Sequence, residues 1–141
     1  MDSAVLSSKL EALRRCVQRI RDKTPASVQY LLDDYDLQDI ISLNLERAVQ
    51  ACVDMASHII ADTEERPPAT MAASFDSLRE LGIISADLAA QMKKAVGFRN
   101  ISVHSYQEID WEIVYAIITT RLDDFSRFAR SMERMLEDTG T

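Results

Sequence analysis

Four side chains within one short stretch, RNISVHSY, could do chemistry together: Arg99, Asn100, His104 and Tyr106. Arginine presents a planar fork of donors that fits phosphate oxygens. Histidine titrates near neutrality and can take or give a proton. Asparagine can fix an imidazole tautomer or donate to an oxygen, and the tyrosine adds a phenolic hydroxyl two places after the histidine. The set suits metal-independent RNA cleavage, in which a 2′-hydroxyl attacks the neighbouring phosphorus. His104 would take that proton or protonate the leaving 5′-oxygen, and Arg99 would hold the phosphorane charge. One copy is thin for this work, because the acid and base roles need two titrating groups. A twofold dimer that brings two motifs face to face would supply both. The plainer reading of the same spacing is a helix end decorated by polar residues, and spacing alone favours it.

The elements around the motif decide whether its residues can meet. At about 100° per residue, Asn100 and His104 share one face of a helix and Arg99 lies beside Asn100. Ile101 then points elsewhere, into the core. Such a helix starts at Ser85, with Leu88, Met92, Val96 and Phe98 as its buried positions. Its C-terminal end carries partial negative charge, which favours a cation there. Tyr106 lies in the exit toward Asp110, so its ring either folds back over His104 or faces solvent.

The rest of the chain also reads as helix. Val5, Leu6, Leu10, Leu13, Cys16, Val17 and Ile20 predict a helix over 3–22, stopped at Thr24-Pro25. A short turn over 26–32 follows. Asp36 is positioned to cap a second long helix that runs to Ala61 with a wide apolar stripe, suited to a bundle centre or a subunit contact. Glu64 to Pro68 is a linker. Ser74 to Leu81 form a helical pattern ended by Gly82, and Asp110 opens one last helix through Leu136. No stretch alternates with period two. The expected fold is one all-α bundle over residues 1–141, with four long helices and one or two short ones.

Composition narrows the classes further. Of 141 residues, only 3 are glycine and 3 proline, too few for a hairpin-rich fold. No apolar run approaches the roughly 18 residues of a membrane span, and the N-terminus reads as an amphipathic helix, not a signal peptide. A cytoplasmic protein without membrane association is expected, with Cys16 and Cys52 as reduced core thiols. The net charge of −7 disfavours general nucleic-acid coating. Between Leu88 and Gln107, however, there is no acid, while Lys93, Lys94 and Arg99 are present.

Arg99 and His104 flank four residues, and Tyr106 follows as His-Ser-Tyr. This resembles the RX4HXY signature of HEPN-domain proteins, in particular the HepT toxin branch. GFRNISVHSYQEIDWEIVYAII is similar to that family's most recognisable segment, and NLERAVQACVDMASHIIAD to its second helix. The resemblance implies a HEPN-like helical bundle that forms a homodimer and acts as a ribonuclease toxin on RNA. It implies Arg99 and His104 as the catalytic pair, Asn100 as a supporting residue, and no cofactor or metal. It further implies that Tyr106 accepts AMP from a cognate nucleotidyltransferase antitoxin, MntA. Such an adduct adds charge and bulk beside a cleft that must receive phosphate.

Other readings remain open. The chain could be a non-catalytic helical dimer that docks a minimal nucleotidyltransferase through RNISVHSY, a reading the acidic charge favours. A nucleotide-binding helical domain is a weaker third. His58, four residues from both Asp54 and Asp62, lacks a third ligand for a metal site and is read as a half-buried histidine satisfied by a carboxylate. Arg47 either faces the cleft or pairs with Asp54. The last helix's Trp111, Phe125, Phe128 and Met132 are core.

Overall fold

The computed structural model describes residues 2–139, and every regular element among them is helical. The α-helices are α1 (Ser3–Lys23), α2 (Val28–Asp33), α3 (Tyr35–Ala61), α4 (Met71–Glu80), α5 (Ala86–His104), α6 (Trp111–Thr120) and α7 (Asp123–Thr139). A single 3₁₀ turn, Tyr106–Glu108, links α5 to α6.

Local chemistry sets these boundaries. The Asp2 carboxylate accepts from the Ala4 amide at 2.9 Å to start α1, and Thr70 and Ser85 cap α4 and α5 in the same way, each at 3.1 Å. Asp34, not Asp36, caps α3 by accepting from Leu37 N–H at 3.0 Å. Asp36 instead lies in the first turn, where its charge meets the positive end of the dipole. Gly82 follows α4 with φ +77°, the left-handed geometry that favours glycine, while the Ile83 amide reaches back to the Leu78 carbonyl at 3.0 Å.

One expected helix is two. The hydroxyls of Thr119 and Thr120 turn back onto the carbonyls of Tyr115 and Ala116, at 2.7 and 2.5 Å, an arrangement that weakens and bends a helix. The chain turns at Arg121 and Leu122, and α7 begins with Asp123 and Asp124 in its first turn. The apolar spacing crosses this break undisturbed because Ile118, Leu122 and Phe125 all enter the same core.

Helix α3 is the centre of the bundle, packed against α1, α2, α4, α5 and α7. Ile41, Leu45, Ala48, Cys52, Met55 and Ala56 are essentially inaccessible along its length, as its wide stripe predicts. Cys16 and Cys52 are buried and free, and burial pushes the Cys52 thiol well above its ordinary range. Across the bundle, Phe75 of α4 meets Phe128 of α7 edge to face, with ring centroids 5.7 Å apart. Both rings are fully buried. Phe128→Ala should therefore cost about 3–5 kcal/mol of stability, read as a lower urea midpoint; an unchanged midpoint would mean that α7 does not close the core.

Candidate functional site

Three polar pairs join α3 to the end of α5 and its exit. Arg99 Nη2 donates to Gln50 Oε1 at 3.3 Å. The Ser102 hydroxyl donates to the Glu46 carboxylate. The Tyr106 hydroxyl donates to Asp39 Oδ1 at 2.5 Å. As one chain ascends, the other descends, so the pairs form an antiparallel ladder. On α3, positions 39, 42, 46 and 50 are spaced by three, four and four and so fall on one face. These α3 residues escaped the sequence reading. Their signal was available as a polar row beside an apolar stripe, but nothing in one helix says what that row faces.

The ladder's Arg99 end is braced from behind. Gln50 Nε2 donates to Asp54 Oδ1 at 2.8 Å, and Lys9 of α1 holds the other oxygen of Asp54 at 2.9 Å. The Arg99 guanidinium is half-buried and also donates to Asn100 Oδ1 at 3.2 Å. Asn100 thus joins Arg99 and does not fix the imidazole of His104. His104, the last residue of α5, is exposed, and its imidazole makes no hydrogen bond among the described residues. Its ring is left to the solvent side of the site, with Arg99 a turn and a half behind it.

Tyr106 is 38% exposed, as the solvent-facing alternative expects, but it is also held on two sides. Its ring lies edge-on to Trp111, centroids 5.9 Å apart, and its hydroxyl is tied to α3. Burial and the hydrogen bond to Asp39 push the phenol up to about 12, helped by the charges of Asp39 and Glu46 and opposed by the Ser42 hydroxyl. Ile101 is also a correction: it is 45% exposed instead of entering the core. With Ile113, 57% exposed, it edges a groove of about 690 Å³ between α5 and α6, lined mainly by apolar side chains such as Phe98 and Ile117.

The remaining candidates are structural. His58 is half-buried, and its Nε2 accepts from the Asp2 amide at 3.0 Å, with the Asp62 carboxylate close enough to interact with it. Asp54 is already taken by Lys9 and Gln50, which leaves Arg47 exposed on the side of Cys16. No group of three or more potential metal ligands occurs among the described residues. No helix among them is long and apolar enough to cross a membrane.

Comparisons with known proteins bear on the family and the fold. A family model described as ribonuclease HepT-like matches residues 10–132. The chain belongs to the HepT-like family. It is 36% identical over 124 residues to an mRNA nuclease HepT of Shewanella oneidensis, covering 88% of this chain and 92% of that protein. A tRNA nuclease HepT of Aphanizomenon flos-aquae is 24% identical, over 96% of this chain and 92% of the relative. Among solved structures, the tri-AMPylated Shewanella oneidensis HEPN toxin in complex with MNT antitoxin superposes with a TM-score of 0.88 at 34% identity. That match covers 95% of this chain and 99% of the toxin. The expected HEPN-like, all-helical architecture is therefore met.

The raised phenol has a measurable signature. Folded Tyr106 holds its proton more tightly than the unfolded chain does, so its contribution to stability is complete below pH 10 and fades as the pH rises toward 12. In an absorbance titration of tyrosine ionisation, one phenol should ionise last, near 12, and Tyr106→Phe should remove that component. A titration with no late phenol in the folded protein would contradict the Asp39 contact.

Proposed function

We propose that this chain, acting as one HepT-like helical domain, is the ribonuclease toxin of a toxin–antitoxin pair. Arg99 and His104 are its catalytic pair, and Asn100 supports them by holding the guanidinium. The observation that carries the reading is the contrast between the two side chains at the end of α5: a braced arginine and an unengaged, exposed histidine. A fixed cation suits a charge that develops at a constant place, the phosphorane. A mobile imidazole suits proton transfer. The 2′-hydroxyl loses its proton to one imidazole and attacks phosphorus. The 5′-oxygen leaves with a proton from the other, giving a 2′,3′-cyclic phosphate. No metal takes part. The two relatives named as nucleases for mRNA and tRNA support an RNA substrate.

Two imidazoles require two protomers. The exposed Ile101, Val103 and Ile113 lie on the same end of the bundle as His104 and beside the α5–α6 groove. An apolar rim next to a polar motif is the arrangement a homodimer would cover, with the motifs facing each other across the twofold axis. The partner antitoxin is an MntA-type nucleotidyltransferase, and Tyr106 is the residue to which it transfers AMP. The AMPylated, antitoxin-bound relative supports this assignment. An adduct there would place a phosphodiester charge beside the RNA cleft. The non-catalytic docking module remains the second reading, favoured by the net charge of −7.

Activity on RNA separates the two. Unmodified protein should cleave RNA in EDTA, and His104→Ala should lose about 100-fold or more in rate with an unchanged helical circular dichroism spectrum. Retained cleavage in that variant would remove His104 from the mechanism, and no cleavage by the parent protein would favour the docking module. Separately, Ile113→Glu should convert a dimer to a monomer in sedimentation analysis and abolish cleavage. A monomeric parent with full activity would sink the two-imidazole scheme.

A further inference from the structure

Tyr106 raises a chemical difficulty for its own modification. A phenol pushed up to about 12 is almost wholly protonated at neutral pH, so a preformed phenolate is a scarce nucleophile. The proton has to leave while the new bond forms, and something must receive it. One group already holds it: Asp39 Oδ1, 2.5 Å from the phenolic oxygen. Asp39 lies on the exposed surface of α3, and Tyr106 is itself 38% exposed. The pair therefore lies at the surface of the bundle and not in its core. The other charged group bearing on the phenol is Glu46, also from α3, while α6 contributes the uncharged indole of Trp111. Glu46 is engaged by Ser102, which leaves Asp39 as the acceptor in contact.

We infer that Asp39 is a catalytic residue supplied by the acceptor protein, the general base for nucleotidyl transfer to Tyr106. The inference rests on the reading of Tyr106 as the AMP acceptor. In the step, the Tyr106 O–H bond breaks and its proton passes to Asp39 Oδ1. The phenolic oxygen forms a bond to the α-phosphorus of ATP, the α–β anhydride bond breaks, and pyrophosphate leaves with the electron pair. The transfer has a second effect. It neutralises the Asp39 carboxylate as a charged phosphate arrives beside it, which lowers the repulsion the product meets. The buried Ser42 hydroxyl, which donates to the Asp39 carbonyl at 3.3 Å, lies near enough to the phenol to favour the phenolate. Asp39 afterwards returns the proton to water. The modified tyrosine no longer has a proton to donate, so its tie to α3 is lost once the reaction is complete.

The test is single-turnover transfer from ATP by the partner nucleotidyltransferase with Mg²⁺, followed by mass spectrometry of the Tyr106 peptide. Asp39→Asn keeps the shape and a hydrogen-bond acceptor but cannot take the proton. At pH 7 it should slow the transfer about 100-fold. Asp36→Asn, which removes an exposed carboxylate one turn earlier on α3, should leave the rate unchanged. The parent-to-Asp39→Asn rate ratio is then followed from pH 7 to 9, which cancels the pH dependence of the transferase itself. The ratio should fall by up to about tenfold per pH unit as phenolate becomes available without a base. Equal rates at pH 7, or a ratio that stays constant with pH, would overturn the role of Asp39 as base and leave it only a seat for the ring. Parent protein that gains no AMP on Tyr106 would instead overturn the underlying assignment of the acceptor.

Discussion

The polar ladder between α3 and α5 is the contact on which the site depends. The apolar core is held by attraction that is non-directional and tolerates small shifts of one helix along another. Hydrogen bonds from Arg99, Ser102 and Tyr106 to Gln50, Glu46 and Asp39 are directional and work in one register only. They set how far the C-terminal turn of α5 advances along α3. They also set which side of α5 faces away, and so leave His104 and Asn100 outward. The bracing of Gln50 through Asp54 to Lys9 ties this register to α1, three helices deep.

The ladder also reconciles an acidic protein with a phosphate-handling proposal. Two acids beside the motif are held in place by neutral hydroxyls, which fixes where their charge sits without removing it. Glu46 is engaged by Ser102, and Asp39 by Tyr106. The α5 segment itself has no acid after Asp87. Two such segments brought together by a dimer would pool their positive charge, where Coulomb attraction is short-ranged and local at physiological salt. The same arrangement would give the proposed modification leverage: the phenol at the edge of the site is anchored to the helix that positions Arg99.

Covering an apolar groove and completing a site are, in this proposal, one event. Ile101 and Val103 alternate with the motif residues on the last turns of α5, so any surface that buries them comes close to His104. A helix end with polar residues on one side and half-exposed aliphatics on the other is poorly suited to remain bare in water.

Helix after helix was legible in the one-dimensional pattern, because apolar residues at intervals of three and four bury only as helices, and capping residues act within a turn of themselves. The starts of α1, α5 and α6 and the stop at Gly82 are local events of this kind. The Arg99–His104–Tyr106 spacing and its family resemblance were equally visible. Three things were not. The break between α6 and α7 leaves the apolar spacing intact, since both sides face one core, and only the back-bonded threonines mark it. The outward turn of Ile101 depends on how α5 is rotated against α3. The partners of Arg99 and Tyr106 lie 49 and 67 residues earlier. Periodicity and capping are interactions between near neighbours, and the sequence determines them by itself. Which polar row meets which is settled only when helices distant in the chain pack together, and that register is what the tertiary structure alone decided.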